Sequence, residues 1–207
     1  MIMNPKIGVG KKKRNVILGI AIVIMFVILM PVLCLLINPS TNKDTTIKVD
    51  KNKIARQKFI NTVAPYAEQG YKEYKIFASI TLAQAMLESD TGKSALTKKA
   101  NNLFGIKANK WTGKTITMKT KEHYGNSDVV VAAVFRSYDS WSESIEDHVN
   151  FLLKNSTYKQ HGVFTAANYT EQAEAIQAAG YATDPNYANE LIALIKKYKL
   201  DKYDSAK

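Results

Sequence analysis

The feature that most constrains this chain is the run from Val16 to Ile37, VILGIAIVIMFVILMPVLCLLI, 22 residues without a charge. As a helix it would be about 33 Å long, enough to cross the hydrocarbon core of a bilayer. A cleavable signal peptide would carry a shorter apolar core and small residues before the cut, whereas Leu36, Ile37 and Asn38 close this run. A lipoprotein would need a small residue ahead of the modified cysteine, and Leu33 precedes Cys34. The expectation is an uncleaved transmembrane helix over 16–37. Lys6, Lys11, Lys12, Lys13 and Arg14 lie before it with no acid among them, so the positive-inside rule puts residues 1–15 in the cytoplasm as a basic tail. The rest would then stand on the outer side of a cell membrane crossed once.

What remains has room for one domain of ordinary size and excludes a second large one. The net charge is +11, but from Asn38 onward it is 24 basic against 18 acidic residues, or +6. That excess suits solubility or a polyanionic neighbour and names none. Cys34 is the only cysteine, so the outer part can hold neither a disulfide nor a thiolate metal site. Residues 38–52, NPSTNKDTTIKVDKN, are polar, without apolar periodicity, and carry Pro39, as expected of an irregular extracellular linker. A globular domain is expected over 53–207.

From Lys53, Ile54, Phe59, Ile60, Val63 and Ala64 fall near helical spacing, with Pro65 expected to kink or end the segment. A stronger helix is expected over about Tyr74–Ser89, its apolar residues three and four apart and Gly92 as its stop. Between about Trp111 and Tyr138, ITMKT and VVVAAVF flank the turn signal Gly125-Asn126-Ser127, which predicts an antiparallel hairpin. Ser140 with Glu143 forms a capping box for a helix over about Trp141–Lys154. Another helix is expected from Thr170, and a last one to about Tyr198 with Asp184 as N-cap and Pro185 in its first turn. The fold class is α+β, mainly helical with one small β-hairpin lobe.

Two carboxylates stand out. Glu88 ends the second helix, one turn beyond Gln84, after several apolar turns. The negative end of the helix dipole and burial against an apolar face both disfavour its ionised form, so its pKa should be raised. A carboxyl of that kind is what a glycosidase needs to protonate a leaving oxygen. On a strand over Ile116–Tyr124, Glu122 shares a face with Ile116, Met118, Thr120 and Tyr124, while Lys119, Lys121 and His123 take the other. A glutamate on the less polar face suggests that this face lines a cleft. An ordinary solvated glutamate is the plainer reading of each.

Five blocks in order, AMLESDTGKSAL (Ala85–Leu96), NNLFGIKA (Asn101–Ala108), TKEHYG (Thr120–Gly125), VFRSYDSWSESIEDH (Val134–His148) and AGYATDPNYANELI (Ala179–Ile192), resemble glycoside hydrolase family 73. These are bacterial endo-β-N-acetylglucosaminidases, including flagellar rod hydrolases and many autolysins. The resemblance covers nearly all of 53–199 and implies a lysozyme-like fold acting on peptidoglycan glycan strands, in an enzyme that needs no cofactor. It places the catalytic acid on Glu88 and a second catalytic carboxylate on Glu122. It places the functional tyrosine on Tyr181, orienting the substrate's acetamido group or the water, with Tyr187 as the competing placement at the substrate. Asn102, Phe104 and Gly105 resemble the cleft wall that meets sugars, although Phe104 reads equally as a core aromatic. The family often carries glycine and tryptophan where this chain has Asp90 and Thr91, which removes a stacking surface near the acid.

The same resemblance leaves rivals: a lytic transglycosylase or N-acetylmuramidase of this fold, or a wall-binding module without activity. Either Glu122 activates water, or the substrate's own acetamido oxygen attacks while Tyr181 orients it. His123, His148 and His161 are scattered, so each is expected at the surface or core edge and no metal is expected. The lysines are spread rather than striped, which argues against nucleic acid as a partner. The expected assembly is a monomer in the envelope of a Gram-positive-type bacterium.

Overall fold

The computed structural model describes residues 42–124 and 127–205, with no side chains for 42–50, 121–124 and 127–129. The expected transmembrane helix, 16–37, lies outside the described residues. Among those, no helix is long and apolar enough to cross a membrane.

Helix α1 spans Asn42–Tyr74 and so begins inside the stretch read as an irregular linker. It also runs through Pro65 without ending. An interior proline costs about 3 kcal/mol. Phe59, Ile60, Val63, Ala64 and Ala67 are all buried around it, and each large side chain among them returns roughly 1.5–3 kcal/mol. Burial therefore outweighs the missing N–H. The exposed N-terminal turns, with Lys51 to Ala55 in solvent, extend a helix secured further along.

The chain reverses at Lys75, whose φ of +61° is left-handed. Its N–H bonds to the Tyr71 carbonyl at 3.0 Å and closes α1, so helix α2 starts at Ala78 rather than Tyr74 and ends at Ser89. Nearly every residue of α2 is buried, polar Ser79, Thr81, Gln84 and Ser89 included. It is the central helix, packed against its neighbours on every side. Asp90 and Thr91 follow in the left-handed region and then Gly92 at φ +80°. A Cβ on Gly92 would meet the Phe59 ring at 2.9 Å and the Trp141 ring at 3.0 Å, so only glycine fits. A short helix α3, Ala95–Ala100, which the periodicity did not predict, is capped by Ser94 Oγ accepting from Thr97 N–H.

Strands β1 (Thr115–Tyr124) and β2 (Ser127–Arg136) form the expected antiparallel hairpin, in register from Thr115 opposite Arg136 to Tyr124 opposite Ser127. Helix α4 (Trp141–Lys154) has the expected Ser140 cap, but Glu143 reaches back to Asp139 N–H instead of Ser140. After the short helix α5 (Ser156–Gln160), α6 (Tyr169–Ala178) is capped by Asn168. Helix α7 is Tyr187–Tyr198, shorter at its start than expected. Asp184 Oδ1 accepts from Asn186 N–H in a preceding turn, while Gln177 of α6 accepts from Ala188 N–H and caps α7 from outside.

Candidate active site

Glu88 sits in the last turn of α2, half-buried at the wall of a cleft of about 370 Å³. The helical side of that cleft includes Leu87, Asp90 and Leu96, and the hairpin side includes Met118, Thr120 and Phe135. Burial pushes the Glu88 carboxyl up to about 8, and the charge of Glu190 on α7 adds to the rise. A hydrogen bond from Tyr187 works against it. The group therefore carries its proton at neutral pH, chiefly because it is desolvated.

The Tyr187 hydroxyl donates to Glu88 Oε1 at 3.0 Å and accepts from Gln84 Nε2 at 3.1 Å. Gln84 lies one turn before Glu88, so α2 supplies both ends of this relay and α7 the middle. Because Oε1 accepts a hydrogen bond, the carboxyl proton belongs on Oε2, to which no described residue bonds. The arrangement presents one oriented, protonated oxygen.

Tyr181 is brought beside this group but not into the cleft. Its ring stacks on Tyr187 at 5.5 Å and 18°, it is wholly buried, and its hydroxyl has no hydrogen-bond partner. Of the two tyrosines that competed for the functional placement, Tyr187 is the one that bonds to Glu88, and Tyr181 backs Tyr187. Tyr187 is itself fully buried, so it acts on the acid rather than lining a sugar site.

Asn102 is buried as well, and its amide is consumed by the backbone. Nδ2 donates to Ile106 O and Arg136 O, while Oδ1 accepts from Phe104 N–H and Ile106 N–H. It staples the turn over 102–106 to β2 and is not available to a ligand. Phe104 is a core aromatic, wholly buried and stacked on His148 at 3.9 Å and 10°. His148 is accordingly no core-edge residue: full burial lowers its pKa to about 3 and keeps it neutral. Of the three expected wall residues only Gly105 lines the cleft, with φ +65° and open space where a Cβ would stand.

Glu122 lies in β1 opposite Val129, and its side chain is outside the description. The alternation expected for its strand is seen at the described positions: Met118 is half-buried and Thr120 buried, whereas Thr117 and Lys119 are exposed. Glu190 was missed by the sequence reading. Its Oε2 is buried without a partner, and its spacing of three from Tyr187 on α7 was the only available signal.

A helical body facing a two-stranded lobe across a cleft, with a desolvated carboxyl at its wall, defines a lysozyme-like glycoside hydrolase. The chain belongs to the glucosaminidase family, described as mannosyl-glycoprotein endo-beta-N-acetylglucosaminidase, whose sequence profile matches residues 64–200. Similar relatives include the exo-glucosaminidase LytG of Bacillus subtilis, 37% identical over 93% of this chain and 68% of LytG. The peptidoglycan hydrolase FlgJ of Vibrio parahaemolyticus is 37% identical over 68% of this chain and 47% of that protein, so this chain spans about half its length. The catalytic domain of the autolysin Auto from Listeria monocytogenes superposes with a TM-score of 0.65 at 33% identity, covering 83% of this chain and all of that one. The glycoside hydrolase domain of Salmonella typhimurium FlgJ, C-terminally truncated, gives 0.57 at 34%, over 70% of this chain and 97% of that one.

Proposed function

We propose that the chain cuts the β-1,4 bonds of peptidoglycan glycan strands after N-acetylglucosamine, within the strand, with Glu88 as general acid. The observation that carries this reading is the Glu88 carboxyl: raised to about 8, beside a cleft, with Tyr187 fixing one oxygen so that the other holds the proton. Bond cleavage passes through an oxocarbenium-like state, so the departing glycosidic oxygen must receive a proton as positive charge grows on the anomeric carbon. Glu88 Oε2 gives that proton. Charge on the sugar is met either by Glu122, from the strand face that carries Met118 and Thr120, or by the substrate's own acetamido oxygen.

The apolar run 16–37 anchors the chain in the cell membrane as a single span, amino terminus in the cytoplasm and enzyme facing the wall, as a monomer. Support for this lies in the sequence: an uncharged run of bilayer length behind five cations.

Digestion of purified walls tests the activity. New reducing-end N-acetylglucosamine on oligosaccharides of mixed length is expected from the native protein and none from Glu88→Gln. Single N-acetylglucosamine released from strand ends would indicate the exo mode that LytG is named for. Reducing muramic acid or anhydro-muramyl products would replace the bond assignment, and release by Glu88→Gln at the native rate would refute its role. Retention of activity by Glu122→Gln would favour attack by the acetamido oxygen.

A further inference from the structure

Outside the cleft lining, α1 passes the C-terminal turn of α7. There Arg56 lies over the Tyr198 ring at 4.4 Å from its centroid, and Lys197 Nζ reaches the same ring at 5.3 Å. Two cations thus converge on one aromatic. Lys53 stands one turn before Arg56, and Lys199 and Lys202 follow Tyr198, all three exposed. None of these five forms an ion pair among the described residues, where the ion pairs are Lys114 with Asp139 and Arg136 with Asp147. Among acids whose side chains are described, Asp201 is exposed beside the group, and Asp204 is turned inward, accepting from Ser79 N–H and Oγ. Placing cations at the end of α7 favours the helix dipole, which explains Lys197 but not Lys53 or Arg56 from another helix.

We propose that this face, formed by Lys53, Arg56, Lys197, Lys199 and Lys202, seats on the anionic lipid headgroups of the membrane that holds the anchor. The inference rests on the proposed anchor. Chain length favours the membrane over more distant polyanions. Lys53 is sixteen residues beyond Ile37, and residues from Asn42 are helical, so the face stays within about 30 Å of the bilayer surface. At that range a tether keeps the local headgroup concentration high, and individually weak phosphate contacts suffice. Seated this way, the domain would hold one orientation relative to the membrane instead of swinging on its stalk.

The full chain is reconstituted in vesicles of phosphatidylcholine alone or of equimolar phosphatidylcholine and phosphatidylglycerol, and flotation establishes that it inserts. Lysines are then acylated with a soluble reagent and their rates read by mass spectrometry. Lys197, Lys199 and Lys202 should react on the order of fivefold more slowly in the anionic vesicles. Exposed Lys98 and Lys99 of α3 should be unchanged, and salt should erase the difference. A variant with Arg56, Lys197, Lys199 and Lys202 changed to Gln should leave Lys53 equally reactive in both vesicles. Equal rates in both lipids for the native chain would overturn the proposal while leaving the anchor standing, and so would protection that appears only when isolated anionic wall polymer is added. Failure to float with either vesicle would overturn the anchor and this proposal together.

Discussion

Tyr187 donates to Glu88 Oε1 across 3.0 Å from a residue 99 positions away, and this bond opposes the burial that keeps Glu88 protonated. Burial wins, and the hydrogen bond decides which oxygen carries the proton. The site is a balance whose parts can be changed one at a time.

Glu88→Gln should abolish glycan cleavage, by roughly a thousandfold or more, with the fold intact. Its stability signature has a definite sign. The folded carboxyl lies above its usual 4.5 at about 8, so the folded state binds the extra proton and native stability falls as pH rises through that window. The amide cannot ionise. Thermal melts should therefore show little difference at pH 5 and the variant more stable by roughly 2–4 kcal/mol at pH 9.

Tyr187→Phe removes the bond that favours ionised Glu88, so the carboxyl should titrate higher still. The alkaline limb of the pH–rate profile should move up by about half a unit or more, while the plateau rate falls about tenfold because the acid is no longer held. A downward shift would contradict the assigned geometry.

Glu190→Gln acts in the opposite direction. Losing a nearby negative charge makes ionisation of Glu88 easier, and the alkaline limb should move down by about half a unit with the acidic plateau unchanged. A fall in the plateau would instead mean that Glu190 touches substrate.

Tyr181→Phe deletes a buried hydroxyl that has no partner. Stability should stay level or rise slightly, and cleavage should persist at close to the native rate. Loss of activity without loss of fold would restore the direct role that the family resemblance implied for Tyr181.

Asn102→Ala removes the partner of the Phe104 and Ile106 N–H groups and one donor each from the Arg136 and Ile106 carbonyls, the latter still accepting from Arg136 N–H. Chemical denaturation should report a loss of roughly 3 kcal/mol, the cost of buried polar groups left unpaired. Glycan binding by the remaining folded protein should be unaffected, since the amide is not exposed to a sugar.

Local patterns carried the helix and hairpin assignments at residues where one signal acted alone. Ser140 caps α4, the alternation of β1 sets Met118 and Thr120 inward, and Glu88 at the end of an apolar helix reads as a desolvated carboxyl, all from near-neighbour periodicity and capping chemistry. The reading failed where distant partners intervene. Pro65 stays helical because the core holds both sides of it, and α7 starts late because Gln177 caps it from α6. Asn102 and Phe104 look like a cleft wall in the sequence but are spent on backbone and on His148.

From the sequence come the bilayer-length apolar run, the order of the main helices and the hairpin, the family, and the expectation of a desolvated carboxyl at Glu88. These rest on composition and on spacing along the chain, which short-range forces translate directly. Which tyrosine touches Glu88, that Glu190 biases it, and that Arg56 meets Lys197 over Tyr198 were decided only in three dimensions. Each joins residues on separate helices, and their approach is set by how those helices pack, a quantity that no local stretch of the chain encodes.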